Sequence, residues 1–368
     1  MKPTDPSSPA RSPLHPHGRG ASANPQNPFS ALHLTEDGDY LDELARDPEA
    51  VPLSPRTKFY HDDSQSLITK NTSPDLSFDA SLNPYRGCEH GCSYCYARRY
   101  HEFLGFSSGL DFETKIMVKP NAPELLRKEM SSPRWKPQKL SLSGVTDCYQ
   151  PVERRLKITR GCLQVLAEFR NPAVVITKNF LVTRDVDHLA ELAKWNAGCV
   201  LLSITSLDSD LARKLEPRAS SPRQRLDAVR LLNEAGVPVG VSVAPIIPGL
   251  NDHEIPAILD AAKEAGAVFA TYSIVRLPGS VSEVFQRWLE ENVSPSAADK
   301  IIGRIRDMRG GKLNELRPGI RMKGEGPMAA QIQSLFKVTA RKLGLDKMRF
   351  ELTKDNFRRV TLGQGELF

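Results

Sequence analysis

Between Lys139 and Ile274, apolar runs of strand length alternate with stretches of helical period, and this alternation restricts the possible architectures more than any other feature of the chain. The runs are Lys139–Ser143 (KLSLS), Ala173–Thr177 (AVVIT), Cys199–Ile204 (CVLLSI), Val237–Ala244 (VPVGVSVA) and Val268–Ile274. Between them a helix is expected from about Val152 to Phe169. A second follows Asp185, with Val186, Leu189, Leu192 and Ala193 on one face. A third opens on Ser221 as N-cap with Pro222 at its first position, presents Leu226, Val229 and Leu232, and stops at Gly236. A fourth is expected to be capped by Asp252, with Ile255, Ile258, Leu259 and Ala262 inward and Gly266 at its end. Repeated strand and helix at this spacing implies parallel strands joined by right-handed crossovers, hence a full or partial β/α barrel or a doubly wound sheet. Both architectures bind ligands at the carboxyl ends of the strands. Here those ends read Asn83 to Cys88, Gly144 to Asp147, Thr177-Lys178-Asn179, Ser203-Ile204-Thr205 and Pro245 to Gly249.

A barrel of this kind occupies roughly 200 to 250 residues, so the 368-residue chain is expected to hold one catalytic core with extensions. The core is placed at 59–295. Residues 1–58 open with a stretch rich in Pro, Ser and small polar residues that buries too little apolar surface to offset the entropy of ordering. They are expected to be disordered, with at best a short helix near Tyr40 to Ala45. Residues 296–368 form a basic extension, helical in part, with Gly310-Gly311 and Pro318-Gly319 as breakers, packed on the barrel. From Lys300 onward sixteen Lys and Arg stand against seven Asp and Glu, so this segment supplies the positive net charge. No run of about 18 apolar residues occurs and the first thirty residues lack an apolar signal region, which reads as a soluble, cytoplasmic chain with no membrane partner.

Of the six cysteines, Cys148, Cys162 and Cys199 are scattered through apparent core elements, while three fall within eight residues in RGCEHGCSYCYARRY, at spacing Cys-x3-Cys-x2-Cys. Three thiolates on one short loop can bind three irons of a cubane and leave the fourth open, whereas electron-transfer clusters normally have four Cys. Structural zinc is the alternative, with His90 or His101 as a fourth ligand.

The segments SLNPYRGCEHGCSYCYA, TDCYQPVE, ITKN, LSITS, LEPRASSPRQRLDA and VSVAPIIPGLND resemble the radical S-adenosylmethionine (SAM) superfamily, and within it the spore photoproduct lyase-like branch, over about Leu82 to Asn251. The resemblance implies a partial (βα)6-type TIM barrel. It also implies a 4Fe-4S cluster on Cys88, Cys92 and Cys95, and SAM chelated to the open iron and cleaved to methionine and a 5′-deoxyadenosyl radical. It would place Asp147 at the SAM head group, Lys178 at its carboxylate and Ser203 at the ribose, with Tyr94 and the Ala244-Pro245-Ile246 backbone flanking adenine. The implied partners are a substrate, not identified by the sequence, and a flavodoxin- or ferredoxin-type electron donor.

Each implied ligand also has a plainer reading. Lys178 could be a solvated strand end, Asp147 a turn cap, Glu216 half of an ion pair, and Tyr149 and Glu153 a packed aromatic and a helix-start carboxylate. Arg225 matches an arginine of the branch with no role assigned. The photoproduct lyases use a Cys hydrogen donor just before the matching Asp, where this chain has Ser143-Gly144-Val145-Thr146; the nearest thiol, Cys148, reads as a displaced donor or a small core hydrophobe. Dimer repair is therefore not inherited, although the basic C-terminal region keeps nucleic acid among the candidate partners. The readings carried forward are a radical SAM enzyme, a nucleic-acid lesion lyase, and a non-catalytic iron-sulfur or zinc protein.

Overall fold

The apolar runs form strands because each is flanked by a helix that returns the chain to the start of the next. A computed structural model of the chain describes residues 18–29, 56–347 and 351–360. Its strands are β1 (Lys58–His61), β2 (Ile68–Lys70), β3 (Ala80–Leu82), β4 (Tyr85–Arg86), β5 (Lys115–Val118), β6 (Leu140–Leu142), β7 (Ala173–Thr177), β8 (Gly198–Ile204), β9 (Val239–Ile246) and β10 (Phe269–Ile274). The larger sheet has the order β10-β9-β8-β7-β6-β3-β2, and β1, β5 and β4 form a small second sheet. Every neighbouring pair in the larger sheet is parallel except β2 with β3. Six parallel strands thus follow one another in chain order with no reversal, which is the partial (βα)6 barrel. A doubly wound sheet would reverse its strand order partway. With helices on one face and the barrel interior on the other, these strands are buried on both sides and read as nearly unbroken apolar runs.

Local signals explain where helices begin and break. Pro222–Glu234 starts on a reciprocal cap between Ser221 and Gln224. The helix expected over Val152 to Phe169 is two helices, Glu153–Leu156 and Ile158–Phe169, separated by Lys157 at φ 55°. The cause is Glu153, whose buried carboxylate accepts the backbone N–H groups of Thr159 (3.0 Å) and Arg160 (3.4 Å) and so caps the second helix from the first. Asp252 also departs from expectation: it begins a 3-10 turn, Asp252–Glu254, and accepts from Gly249 N at 2.6 Å instead of capping the helix Ile255–Glu264.

Two extensions fold onto this frame. The helix Gly326–Lys342 sets Phe336 against Tyr272 of β10, ring centroids 4.6 Å apart. Arg309 donates to the carbonyls of Ile274, Val275 and Arg321, and Arg321 in turn pairs with Asp75 in the loop between β2 and β3. The C-terminal segment therefore links the β10 edge of the open sheet to the β2–β3 edge. At the other terminus, residues 18–29 of the N-terminal extension lie against the cysteine loop, with Arg19, Ala21 and Asn27 buried, and β1 begins at Lys58. Side-chain hydrogen bonds from Arg19 and Asn27 to backbone carbonyls, the capture of the Gly20 and Ala21 amides by Glu113, and apolar contacts of Ala21 and Phe29 hold this stretch. The helix expected near Tyr40 to Ala45 lies outside the described residues. Among the described residues no helix is long and apolar enough to cross a membrane.

Candidate active site at the carboxyl ends of the strands

β3 ends at Leu82, and the chain then turns through β4 into a loop that carries Cys88, Cys92 and Cys95 as free thiols, the first two buried and the third half-buried. Backbone contacts hold the loop: Cys88 N donates to Phe112 O (2.9 Å), Ser93 N to Leu215 O (3.0 Å) and Cys95 N to Cys92 O (3.2 Å). Arg98, fully buried, donates to the carbonyls of Gly91, Cys92, Ser108 and Gly109 at 2.8 to 3.0 Å and pairs with Glu113 at 2.5 Å. Glu113 also accepts Gly20 N (3.1 Å) and Ala21 N (2.9 Å), which ties the N-terminal strap to the cysteine loop. The fit there is close: a Cβ on Gly20 would lie 1.6 Å from the carbonyl oxygen of Gly91. On the opposite side Gln150 spans the loop, accepting Glu89 N and donating to Gly87 O.

Three free thiols on one loop are a donor set that would suit three irons of a cluster. Among the described residues no three His, Cys, Asp or Glu side chains are gathered closely enough for a single metal ion. Burial pushes the thiols of Cys88 and Cys92 up, so their thiolates call for a group that brings positive charge of its own. His90 is engaged elsewhere, with Nδ1 3.4 Å from Asp147 and Nε2 3.0 Å from Asn179 Nδ2. His101 packs edge-on against Phe112, and burial holds its pKa down to about 4.

The strand ends beneath the loop carry most of the residues singled out from the sequence. Asp147 uses both carboxylate oxygens internally: one accepts Tyr149 N (2.9 Å) and Thr177 Oγ1 (2.8 Å), the other accepts Lys178 N (2.9 Å) and faces His90. Burial pushes its carboxyl up, but His90 and these hydrogen bonds outweigh burial and hold the pKa at about 2. Lys178 extends its ammonium to 6.0 Å over the Tyr94 ring and donates no hydrogen bond among the described residues. The Tyr94 hydroxyl donates to Glu216, which also accepts from Thr205 and pairs with buried Arg225. Burial pushes the Glu216 carboxyl up, and Arg225 and Lys178 more than reverse this, so it is ionised. Arg225 further donates to Ser203 O (2.9 Å) and Ser220 O (2.8 Å). The Ala244-Pro245-Ile246 backbone ends β9, its carbonyls receiving Thr205 Oγ1 at Ala244, Asn251 Nδ2 at Pro245 and Val275 N at Ile246.

Other residues fall away from this surface. Tyr149 is fully buried and donates to Asp185 at 3.0 Å, and Glu153 pairs with Arg184. Cys148 has no exposed surface and belongs to the main apolar core. Ser143, at φ 75°, accepts Cys148 N through its hydroxyl. Gln150, which the sequence offered with Tyr149 and Glu153 as a residue facing substrate, braces the cysteine loop instead, and the residues missed from the sequence are Arg98, Glu113 and Asn251. Only Arg98, three positions past Cys95, had a local signal.

A six-stranded parallel partial barrel with a braced three-thiol loop over its strand ends defines a class of cofactor-dependent barrel proteins. The chain belongs to the Radical SAM superfamily, whose description matches residues 82–262. An uncharacterised protein of Mycobacterium tuberculosis is 34% identical over 235 residues, 63% of this chain and 68% of that one. One from Methanocaldococcus jannaschii is 30% identical over 215 residues, 58% of this chain and 76% of that one. A radical SAM Nα-GlyT isomerase of Pseudomonas phage M6 is 26% identical over 221 residues, 59% of this chain and 43% of that one. Among solved structures, spore photoproduct lyase complexed with dinucleoside spore photoproduct shares the fold at TM-score 0.58 and 15% identity, covering 77% of this chain and 79% of that one. Members of the Radical SAM superfamily are enzymes that use a 4Fe-4S cluster and SAM.

Proposed function

We propose that the chain is a radical SAM enzyme whose Cys88, Cys92 and Cys95 hold the cluster and whose strand ends hold SAM. The observation that carries this is the pairing of three free thiols on one braced loop with Lys178, an ammonium over the Tyr94 ring that feels the charges of Cys92 and Glu216 and has no hydrogen-bond acceptor among the described residues. The bound cofactors supply the chemistry, reductive cleavage of SAM to methionine and a 5′-deoxyadenosyl radical, at the expense of an external flavodoxin- or ferredoxin-type donor. The protein's part is to bind and to aim. Lys178 takes the SAM carboxylate, Ser203 serves the ribose, and Tyr94 with the Ala244-Pro245-Ile246 backbone flanks adenine. Asp147 acts one step back: with both oxygens committed, it fixes the backbone of Lys178 and the ring of His90. Glu216 and Arg225 likewise hold Tyr94 and the end of β8 in place.

The test is anaerobic: reconstitute the chain with iron and sulfide, add SAM and dithionite, and measure 5′-deoxyadenosine against Cys92→Ala. Formation by the wild type alone supports the reading. Occupation of the thiols by zinc with no cluster assembled would overturn it.

A nucleic-acid substrate is the second reading. It is supported by the helix Gly326–Lys342, which bears exposed Lys337, Arg341 and Lys342 and no acidic residue. Dimer repair by thiol hydrogen return has no support, since Ser143 occupies the donor segment and Cys148 is in the core. DNA affinity that falls with salt and is lost on neutralising those three cations would favour this reading; salt-independent or absent binding would end it.

A further inference from the structure

The buried arginines around the site are all engaged: Arg98 by four carbonyls and Glu113, Arg225 by Glu216 and two carbonyls, Arg309 by the carbonyls of Ile274, Val275 and Arg321. Arg276 is different. It lies two residues past β10, at the carboxyl end of the sheet, half-buried, with its guanidinium carbon 4.2 Å from the centroid of the Tyr96 ring. Tyr96 follows Cys95 directly, and its hydroxyl donates to Gly144 O (3.0 Å) at the end of β6, which pins the ring between the cysteine loop and the strand ends. Among the described residues the Arg276 guanidinium has neither a hydrogen-bond acceptor nor an ion-pair partner. The nearby carboxylate, Asp75, has both oxygens taken, one by Gly319 N and the other by Arg321.

Stacking leaves a guanidinium's donors free. They lie in the guanidinium plane, in a fork that matches two oxygens of a carboxylate or phosphate. Arg309 stands close enough to Arg276 for the two cations to oppose each other, with burial the larger cause of the Arg309 pKa falling to about 10 and Glu315 acting against both, and Asp75 is the carboxylate that feels Arg276. We propose that Arg276 is the substrate-anchoring residue of this site and takes an oxyanion, a phosphate ester or a carboxylate, carried by the substrate. This rests on the radical SAM reading for what happens to the substrate. The anchor itself stands on the geometry of Arg276 and Tyr96.

The experiment maps arginine modification by phenylglyoxal on the full-length, anaerobically reconstituted wild-type protein, with peptide mass spectrometry as the readout and cluster absorbance recorded on the same samples. Failure of the radical SAM reading shows in the absorbance, and failure of the anchor shows in the peptide map. Arg276 is expected to react well before Arg98, Arg225 and Arg309. Inorganic phosphate or acetate at about ten times its dissociation constant should slow its modification about tenfold, by simple occupancy, and the more effective anion identifies the source. The proposal is overturned if Arg276 is no more reactive than the engaged arginines, if chloride at equal ionic strength protects as well, or if SAM alone protects it, which would give the residue to the cofactor.

Discussion

Arg98→Met should be among the most damaging single changes outside the thiols. Both side chains of the Arg98–Glu113 pair are fully buried. Removing the guanidinium strands a buried carboxylate, for which about 3–5 kcal/mol is the usual cost, and leaves the carbonyls of Gly91, Cys92, Ser108 and Gly109 without that donor. Two backbone amides, Gly20 and Ala21, still reach Glu113 and soften the loss, so about 4 kcal/mol is expected from a total stability on the order of 5–15 kcal/mol. Anaerobic urea unfolding measures it. The companion variant Arg98→Met/Glu113→Gln removes the stranded charge and should recover about 1–2 kcal/mol relative to Arg98→Met. The single variant should also bind less iron, since Arg98 holds the carbonyls on either side of the Gly91–Cys92 bond. A loss below about 1 kcal/mol in the single variant, or a double variant no more stable than the single, would refute the account of Arg98 as a charge-paired brace.

Three further outcomes follow from the same structure. Lys178→Met should weaken SAM binding about tenfold or more, as expected for losing a charge-assisted hydrogen bond, while iron content stays at the wild-type level; equal SAM affinity would remove Lys178 from the site. Gly20→Ala should displace the N-terminal strap at an overpacking cost of about 1–3 kcal/mol, seen as faster proteolysis within residues 18–29, because the new methyl would meet the Gly91 carbonyl. His101, with its pKa lowered from 6.5 to about 4 by burial, binds its proton more readily in the unfolded chain. Stability should therefore fall as pH drops from about 6.5 toward 4, by at most about 3 kcal/mol. His101→Gln should flatten that slope, and an unchanged profile would show that the ring is not buried in solution.

Several features were legible in the residues because they depend on neighbours in sequence. The strand at Ala173–Thr177 and the capped start of Pro222–Glu234 each require only a local pattern of apolar, capping and turn residues. The three thiols are likewise readable, since a cluster held on one loop imposes its spacing on adjacent residues. Glu153 shows where local reading stops. Its helical surroundings suggested one continuous helix, but its carboxylate is bound to Tyr85 and Arg184 and turns back to cap the next segment, so the helix breaks at Lys157.

The sequence by itself determined the alternation of strand and helix, the thiol loop and the places where ligand-facing residues emerge, because periodicity, capping and ligand spacing are properties of short stretches. Only the tertiary structure decided which polar groups are already satisfied. Asp147 is consumed by His90 and backbone amides, Arg98 by carbonyls and a glutamate 15 residues away, residues 18–29 by that same glutamate, while Arg276 stands over the face of a tyrosine with no hydrogen bond or ion pair among the described residues. A buried charge is stable only where distant chain segments bring it partners, and no local pattern records which partners arrive.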